Sequence, residues 1–256
     1  MGEPGETLTV EQVDLNLNDT LSQALDLWKQ RKDVESGKVI RKASKMFVDS
    51  NPDRSYIPGA TENEKAKNSW VQNYDSPVTK TILQMVEQRT LEGTDQFTSI
   101  YQVALAITPE YTDNRDVLVK TGKAKTMEEF LSAEGVACRH QAHITAKVGL
   151  IIKRDNPQED WNAKIVAFPK GFEIHGQISS EGHFFTELSK KDLTGLFDIT
   201  NPRLTTDKDG KVIQGKEEEV FAKLFETYKD RGISVPKLTT IDTISYREKE
   251  FLPPNL

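Results

Sequence analysis

The chain contains one cysteine and four histidines. Cys138 sits in "EGVACRHQAHITAKVGLII", with His140 and His143 close behind it. A cysteine that is never repeated cannot close a disulfide within the chain, so its thiol is a small apolar group, a metal ligand or a nucleophile. As a nucleophile it needs a histidine to take its proton and a carboxylate to orient that histidine. Residues 138–152 read as a helix. At 100° per residue, Ala142, Thr145, Ala146 and Gly149 fall on one side, and Cys138 belongs to that side. Small residues there let the helix lie close against a sheet. Cys138 then stands in the first turn, where free N–H groups and the positive dipole end favour a thiolate and can hold an oxyanion.

His140 and His143 lie two and five residues on, and only offsets of three and four share a helix face. Neither serves Cys138 as a base. They are three apart and could chelate a metal together, but no further ligands have convincing spacing, so no metal site and no cofactor are expected. His175 lies in "GFEIHGQISSEG", a loop-like stretch with no carboxylate placed to orient it. His183 opens "GHFFTELSKKDLTGLFDIT". Read as a hairpin with a four-residue loop at 189–192, this puts Leu188 opposite Leu193 and His183 opposite Asp198. Facing Cβ atoms are then roughly 4.5–5.5 Å apart, and a shift of two would leave them diagonal at roughly 7–8 Å. His183, Phe185 and Glu187 take one face; Phe184, Thr186 and Leu188 take the other.

These segments resemble the transglutaminase-like superfamily. "AEGVACRHQAHITAKVGLII" is similar to its cysteine helix, with a glycine before the cysteine and an alanine four residues after it. "GHFFTELSKKDLTGLFDITNPRL" is similar to its His and Asp strands: His183, Phe185 and Glu187, then Asp198, Thr200, Asn201 and Pro202. The likeness covers residues 126–204. It departs from the family where Gly135 precedes Cys138 by three instead of two, and where Phe185 replaces a common tryptophan. The resemblance implies an α+β, papain-like core with the Cys138 helix packed on an antiparallel sheet. It also implies acyl transfer through a thioester on a carboxamide or peptide bond of a protein substrate: transamidation, deamidation or proteolysis. Cys138 would attack, His183 would move the proton and Asp198 would orient His183. The Cys138 N–H and one upstream donor, with Gln102 as candidate, would hold the oxyanion. The alternative is a protein-binding module that keeps the fold without turnover.

The elements around these residues divide in two. Residues 1–90 read as a helical N-terminal region and residues 91–256 as the catalytic core with a C-terminal helix and tail. In the first part a helix starts at Asp19 or Thr20 and carries Leu21, Ala24, Leu25 and Trp28 on one face. Gly37 ends it, a second helix runs through Ile40, Ala43 and Phe47, a loop spans 50–65, and a third helix covers about 76–91. "SIYQVALAI" (99–107) is strand or buried helix. Residues 126–135 form a short helix, with Thr126 as N-cap, Glu129 completing a capping box and Gly135 as the stop. Residues 163–168, 182–188 and 193–200 read as strands. Asp209-Gly210 makes a turn, and 216–232 is an amphipathic helix with Val220, Leu224 and Tyr228 on its stripe.

The 256 residues, 36% hydrophobic and 29% charged, suit one large domain or one domain with an appendage. The net charge of −6 gives no footprint of a general nucleic-acid binder. The basic residues from Lys29 to Lys45 are expected to form a solvated helix face. No apolar run approaches the roughly 20 residues that span a bilayer. The start, "MGEPGETLTVEQ", lacks a signal peptide's apolar core. The chain is therefore expected in the cytoplasm, or delivered without a recognisable signal, with no nucleic-acid or membrane partner; the protein substrate is what the resemblance implies.

Overall fold

The computed structural model describes residues 10–52, 76–124, 126–155, 158–168, 173–174, 177–178, 182–234 and 239–244. Most of the loop expected at 50–65 and all of His175 lie outside them.

The fold is α+β. Helices α1 (Val10–Lys29), α2 (Asp33–Ser50), α3 (Pro77–Leu91) and α4 (Gln96–Ile107) come first. The short helices α5 (Arg115–Thr121) and α6 (Met127–Leu131) lead to α7 (Cys138–Asp155). Strands β1 (Trp161–Phe168), β2 (Glu173–Ile174), β3 (Gln177–Ile178), β4 (His183–Lys190), β5 (Leu193–Phe197) and β6 (Gln214–Gly215) follow. Helix α8 (Glu217–Asp230) and strands β7 (Ile233–Ser234) and β8 (Thr239–Ile244) complete the order. Five strands form one antiparallel sheet in the order β6-β5-β4-β1-β8, and β3-β2-β7 form a small second sheet.

Alternation sorts the side chains of the large sheet between two covers. Trp161, Ala163, Ile165, Leu188 and Phe197 join the main core with α1–α4, α6 and α7. Val166, Phe185 and Leu196 face the other way and pack under Val220, Leu224 and Tyr228 of α8. The main core runs without a break from Leu17 to Val212, so the early helices and the sheet share one apolar interior.

The small-residue side of α7 does lie on the sheet. A Cβ added at Gly149 would fall 2.7 Å from Leu188 Cδ1, and the Thr186 hydroxyl donates to the Ala142 carbonyl at 2.6 Å. Contact this close between helix and strand has no room for larger residues.

Several expectations change. Helix α1 begins at Val10, nine residues before Asp19. Gly37 lies inside α2; the chain breaks earlier, at Arg31, whose φ is 62°. Gly37 is needed for close approach: its added Cβ would sit 1.8 Å from the Ala106 carbonyl oxygen of α4. Residues 99–107 are helix, with Phe97, Ile100, Tyr101, Val103, Ala104 and Ile107 buried. Helix α6 has the expected Thr126/Glu129 capping box but ends before Gly135, at Ser132. The loop-like stretch around His175 includes the β2–β3 pair. Strand β8 was not anticipated, although "TTIDTI" is rich in the β-branched residues that favour strands. Within the basic stretch, Arg41 is not merely solvated. Its Nη1 donates to the Ala106 carbonyl at 3.0 Å, at the C-terminal end of α4 where a cation is favoured.

Candidate active site

The site forms where α7 begins, where β4 begins and where β5 has just ended. The hairpin that carries His183 and Asp198 is tighter than expected. Its turn is Lys191-Asp192, not 189–192, and Leu188 pairs with Gly195, not Leu193. Ser189 and Lys190 stay in the ladder because Lys190 is held in place. Its Nζ lies 2.8 Å from Glu159, donates to Gln96 at 2.7 Å and sits over the Trp161 ring. Lys191 takes a left-handed φ of 54° to close the turn. The register therefore shifts by two, and β5 ends at Phe197, three residues short of Thr200. His183 and Asp198 are diagonal, on the sheet face that α8 covers.

They still meet. His183 Nε2 lies 2.7 Å from Asp198 Oδ2. Release from the strand lets Asp198 turn. Its Oδ1 accepts from the Asn201 N–H at 2.9 Å, and its own N–H donates to Thr205 Oγ1 at 3.2 Å. The Tyr228 hydroxyl from α8 is 3.5 Å from Oδ2. The carboxylate is thus enclosed, with only 1% of its side chain exposed. Burial, and then the Asp198 charge, holds the Tyr101 and Tyr228 hydroxyls above their ordinary pKa, so both stay neutral neighbours of the carboxylate.

Cys138 is the first residue of α7 and is half-buried. It lies near enough to His183 to be among the groups that raise the His183 pKa, after Asp198. Burial alone would disfavour the His183 cation. Hydrogen bonds to Asp198 and Cys138, and the negative charge of both, outweigh it and raise the pKa to about 10. The first-turn N–H groups of Cys138 and Arg139 have no acceptor within the helix, so they are available to a developing oxyanion.

His140 and His143 do not join this group. His140 caps its own helix: Nδ1 accepts the Ala137 N–H at 3.2 Å, as a capping-box glutamate would. An Nδ1 that accepts belongs to a neutral ring. Burial and the Arg139 charge accordingly lower the His140 pKa to about 4. Burial, then Lys147, lowers that of His143 to about 3. Among the described residues there is no group of three metal-ligating side chains. No described helix is long and apolar enough to cross a membrane. Gln102 lies on α4, with its Oε1 buried and unpartnered, and no described hydrogen bond ties it to Cys138, His183 or Asp198.

Sequence reasoning missed Gln141 and the environment of Asp198. Gln141 is 4% exposed, and its Oε1 accepts the Thr200 hydroxyl at 2.6 Å. Its place one turn after Cys138 on the same side of the helix was the available signal. Comparison with known proteins finds no matching family model, no matching curated protein and no matching solved structure.

Proposed function

We propose that the protein is a thiol enzyme that transfers an acyl group from a carboxamide or peptide bond of a protein substrate. The observation that carries this reading is the 2.7 Å contact between His183 Nε2 and the enclosed Asp198 carboxylate, with Cys138 beside them as the first residue of α7. The Cys138 thiolate attacks the carbonyl carbon, and the oxyanion is received by first-turn N–H groups of α7, with Gln102 as a further candidate donor. The His183 imidazolium gives its proton to the leaving amine as the C–N bond breaks. Neutral His183 then takes a proton from the incoming water or amine as it attacks the thioester carbonyl, and the C–S bond breaks to release the acyl product and restore the Cys138 thiolate. Asp198 keeps the ring oriented and its cation stabilised throughout. The papain-like arrangement implied by the transglutaminase-like resemblance agrees with a cysteine helix laid on an antiparallel sheet.

The test is alkylation by iodoacetamide at pH 6, read by intact mass. Wild type should label quickly, and His183→Ala and Asp198→Ala clearly more slowly. Slow and equal labelling of all three would overturn the enzyme reading in favour of a binding module. Fast, His183-dependent labelling would lead next to glutamine-containing proteins offered with an amine probe, where incorporation, ammonia release and chain cleavage separate the three acyl chemistries.

A further inference from the structure

The Cys138–His183–Asp198 chain joins two elements, α7 and the segment after β5, through a ring on a third. A second bond joins the same two elements directly. Thr200, two residues after Asp198, donates to Gln141 Oε1 at 2.6 Å, and Gln141 is one helical turn after Cys138. The Gln141 Nε2 points to the Pro109 carbonyl at 3.5 Å. The segment beyond Pro109 is itself bonded to the approach to Cys138: Thr112 N–H donates to the Val136 carbonyl at 3.0 Å and Val136 N–H to the Glu110 carbonyl at 3.1 Å. One buried amide on the cysteine helix therefore touches the aspartate segment and Pro109, whose following residues pair with the approach to Cys138. We infer that the Gln141–Thr200 hydrogen bond is a positioning strut that sets the gap between Cys138 and Asp198 into which His183 fits.

The inference rests on the proposed thiol chemistry and adds residues that the triad does not include. Asp198 has left its strand, so the ladder no longer fixes its height above α7. Its bonds to Asn201 and Thr205 are local to residues 198–205 and would move with that segment. The Tyr228 contact, at 3.5 Å, is long for a hydroxyl–carboxylate bond. The 2.6 Å strut is short, and Gln141 is held by a packed helix. Its loss also leaves a buried acceptor unmet, which works against the closed arrangement. A displacement of about 1 Å in such a site can slow chemistry by as much as about a hundredfold.

The experiment measures the pH–rate profile for iodoacetamide alkylation of Cys138 in the full chain. Thr200→Val removes the hydroxyl at nearly constant shape; Thr200→Ser keeps it. Thr145→Val is the control for general softening of α7, because among the described residues the Thr145 hydroxyl bonds the Gln141 backbone carbonyl, at 2.9 Å, and neither Thr200 nor the triad. Thr200→Val should label roughly tenfold more slowly than wild type at pH 6, with its profile moved to higher pH. Thr200→Ser and Thr145→Val should stay near wild type. Thr200 is half-buried, so Thr200→Ala is a second variant if valine does not fit, and it should match the predicted slowing. Wild-type rates in Thr200→Val and Thr200→Ala, equal slowing in Thr200→Ser, or equal slowing in Thr145→Val would each overturn the strut. If His183→Ala labels as fast as wild type, the thiol-enzyme reading itself fails and the strut falls with it. If His183→Ala is slow while Thr200→Val is not, only the strut fails.

Discussion

His183 Nε2 reaches Asp198 Oδ2 at 2.7 Å although the hairpin register sets the two residues on a diagonal. The contact depends on β5 stopping at Phe197, because one more ladder pair would hold Asp198 in the pleat. The short strand is thus part of how the site is made. Thr205 Oγ1 accepts the Asp198 N–H that a ladder partner would have taken, and the Asn201 N–H donates to the carboxylate itself.

This relationship predicts how His183 titrates. Its pKa near 10 results from Asp198 and Cys138 outweighing burial. NMR of ring-labelled protein should show an imidazolium at pH 8 in wild type. Asp198→Asn and Cys138→Ala each remove a raising partner and keep the burial, so each should bring the titration down by at least a full pH unit. The raised pKa also has a sign for stability. The contribution is fully present below the unfolded value, about 6.5, and is lost as pH rises through about 10. A wild-type ring that is already neutral at pH 8 would contradict the ion pair.

The two histidines on α7 predict the opposite trend. Their folded pKa values, about 4 and about 3, lie below the unfolded value. As pH falls from about 6.5 toward 4, the unfolded chain takes up protons that the folded chain refuses, so stability drops. Urea midpoints measured across this window should fall in wild type and fall less steeply in His143→Gln. Alkylation of Cys138 at pH 6 should be unchanged by that substitution. An unchanged slope would mean that His143 is protonated in the folded chain.

Much of this was legible in the sequence, for physical reasons. The α7 face of Ala142, Ala146 and Gly149 is a local pattern, as are the Thr126/Glu129 box and the Val220, Leu224 and Tyr228 stripe; each repeats with the helix. The diagonal register was open to the sequence as the alternative shifted by two, but the choice between the two registers was not legible. It is decided by Lys190, whose bonds to Gln96 and Glu159 come from segments distant in sequence. Gly37 misled for a similar reason. Its meaning lies in the Ala106 carbonyl, far along the chain, and without that neighbour a glycine inside a helix looks like a stop. Gln141 was missed because its place one turn after Cys138 marks only a helix face, while its role depends on Thr200, far along the chain.

Gly37 therefore predicts a large effect from a single methyl group. An added Cβ would overlap the Ala106 backbone oxygen, and a backbone atom cannot swing aside as a side-chain end can. Gly37→Ala should destabilise the fold by roughly 2–3 kcal/mol, despite the better helix propensity of alanine. Arg41 would lose its alignment with the end of α4 at the same time. Denaturant unfolding would reveal the loss as a lower midpoint at similar slope. A stabilised Gly37→Ala would mean that α2 and α4 lie farther apart.

Glu128 offers a separate test of the interior near the start of α3. Its carboxyl is fully buried; Ser76 Oγ donates to Oε1, Thr79 Oγ1 donates to the same atom at 3.2 Å, and Oε2 has no partner. Burial raises its pKa more than the Ser76 and Thr79 bonds lower it. Folding near neutral pH must then either protonate Glu128 or bury its charge, whereas the unfolded chain leaves it ionised in water. A group with a raised folded pKa stabilises fully below its unfolded value, about 4.5, and that contribution is lost as pH rises. Glu128→Gln keeps the acceptor for Ser76 and Thr79 and removes the charge. It does leave an amide N–H where Oε2 was, which costs about 1–3 kcal/mol at any pH if unmet. The prediction is therefore a trend and not an offset: the stability of Glu128→Gln relative to wild type should improve steadily from pH 5 to pH 8, by unfolding measured at each pH. A constant difference over that range would show that Glu128 ionises as readily inside the fold as outside it.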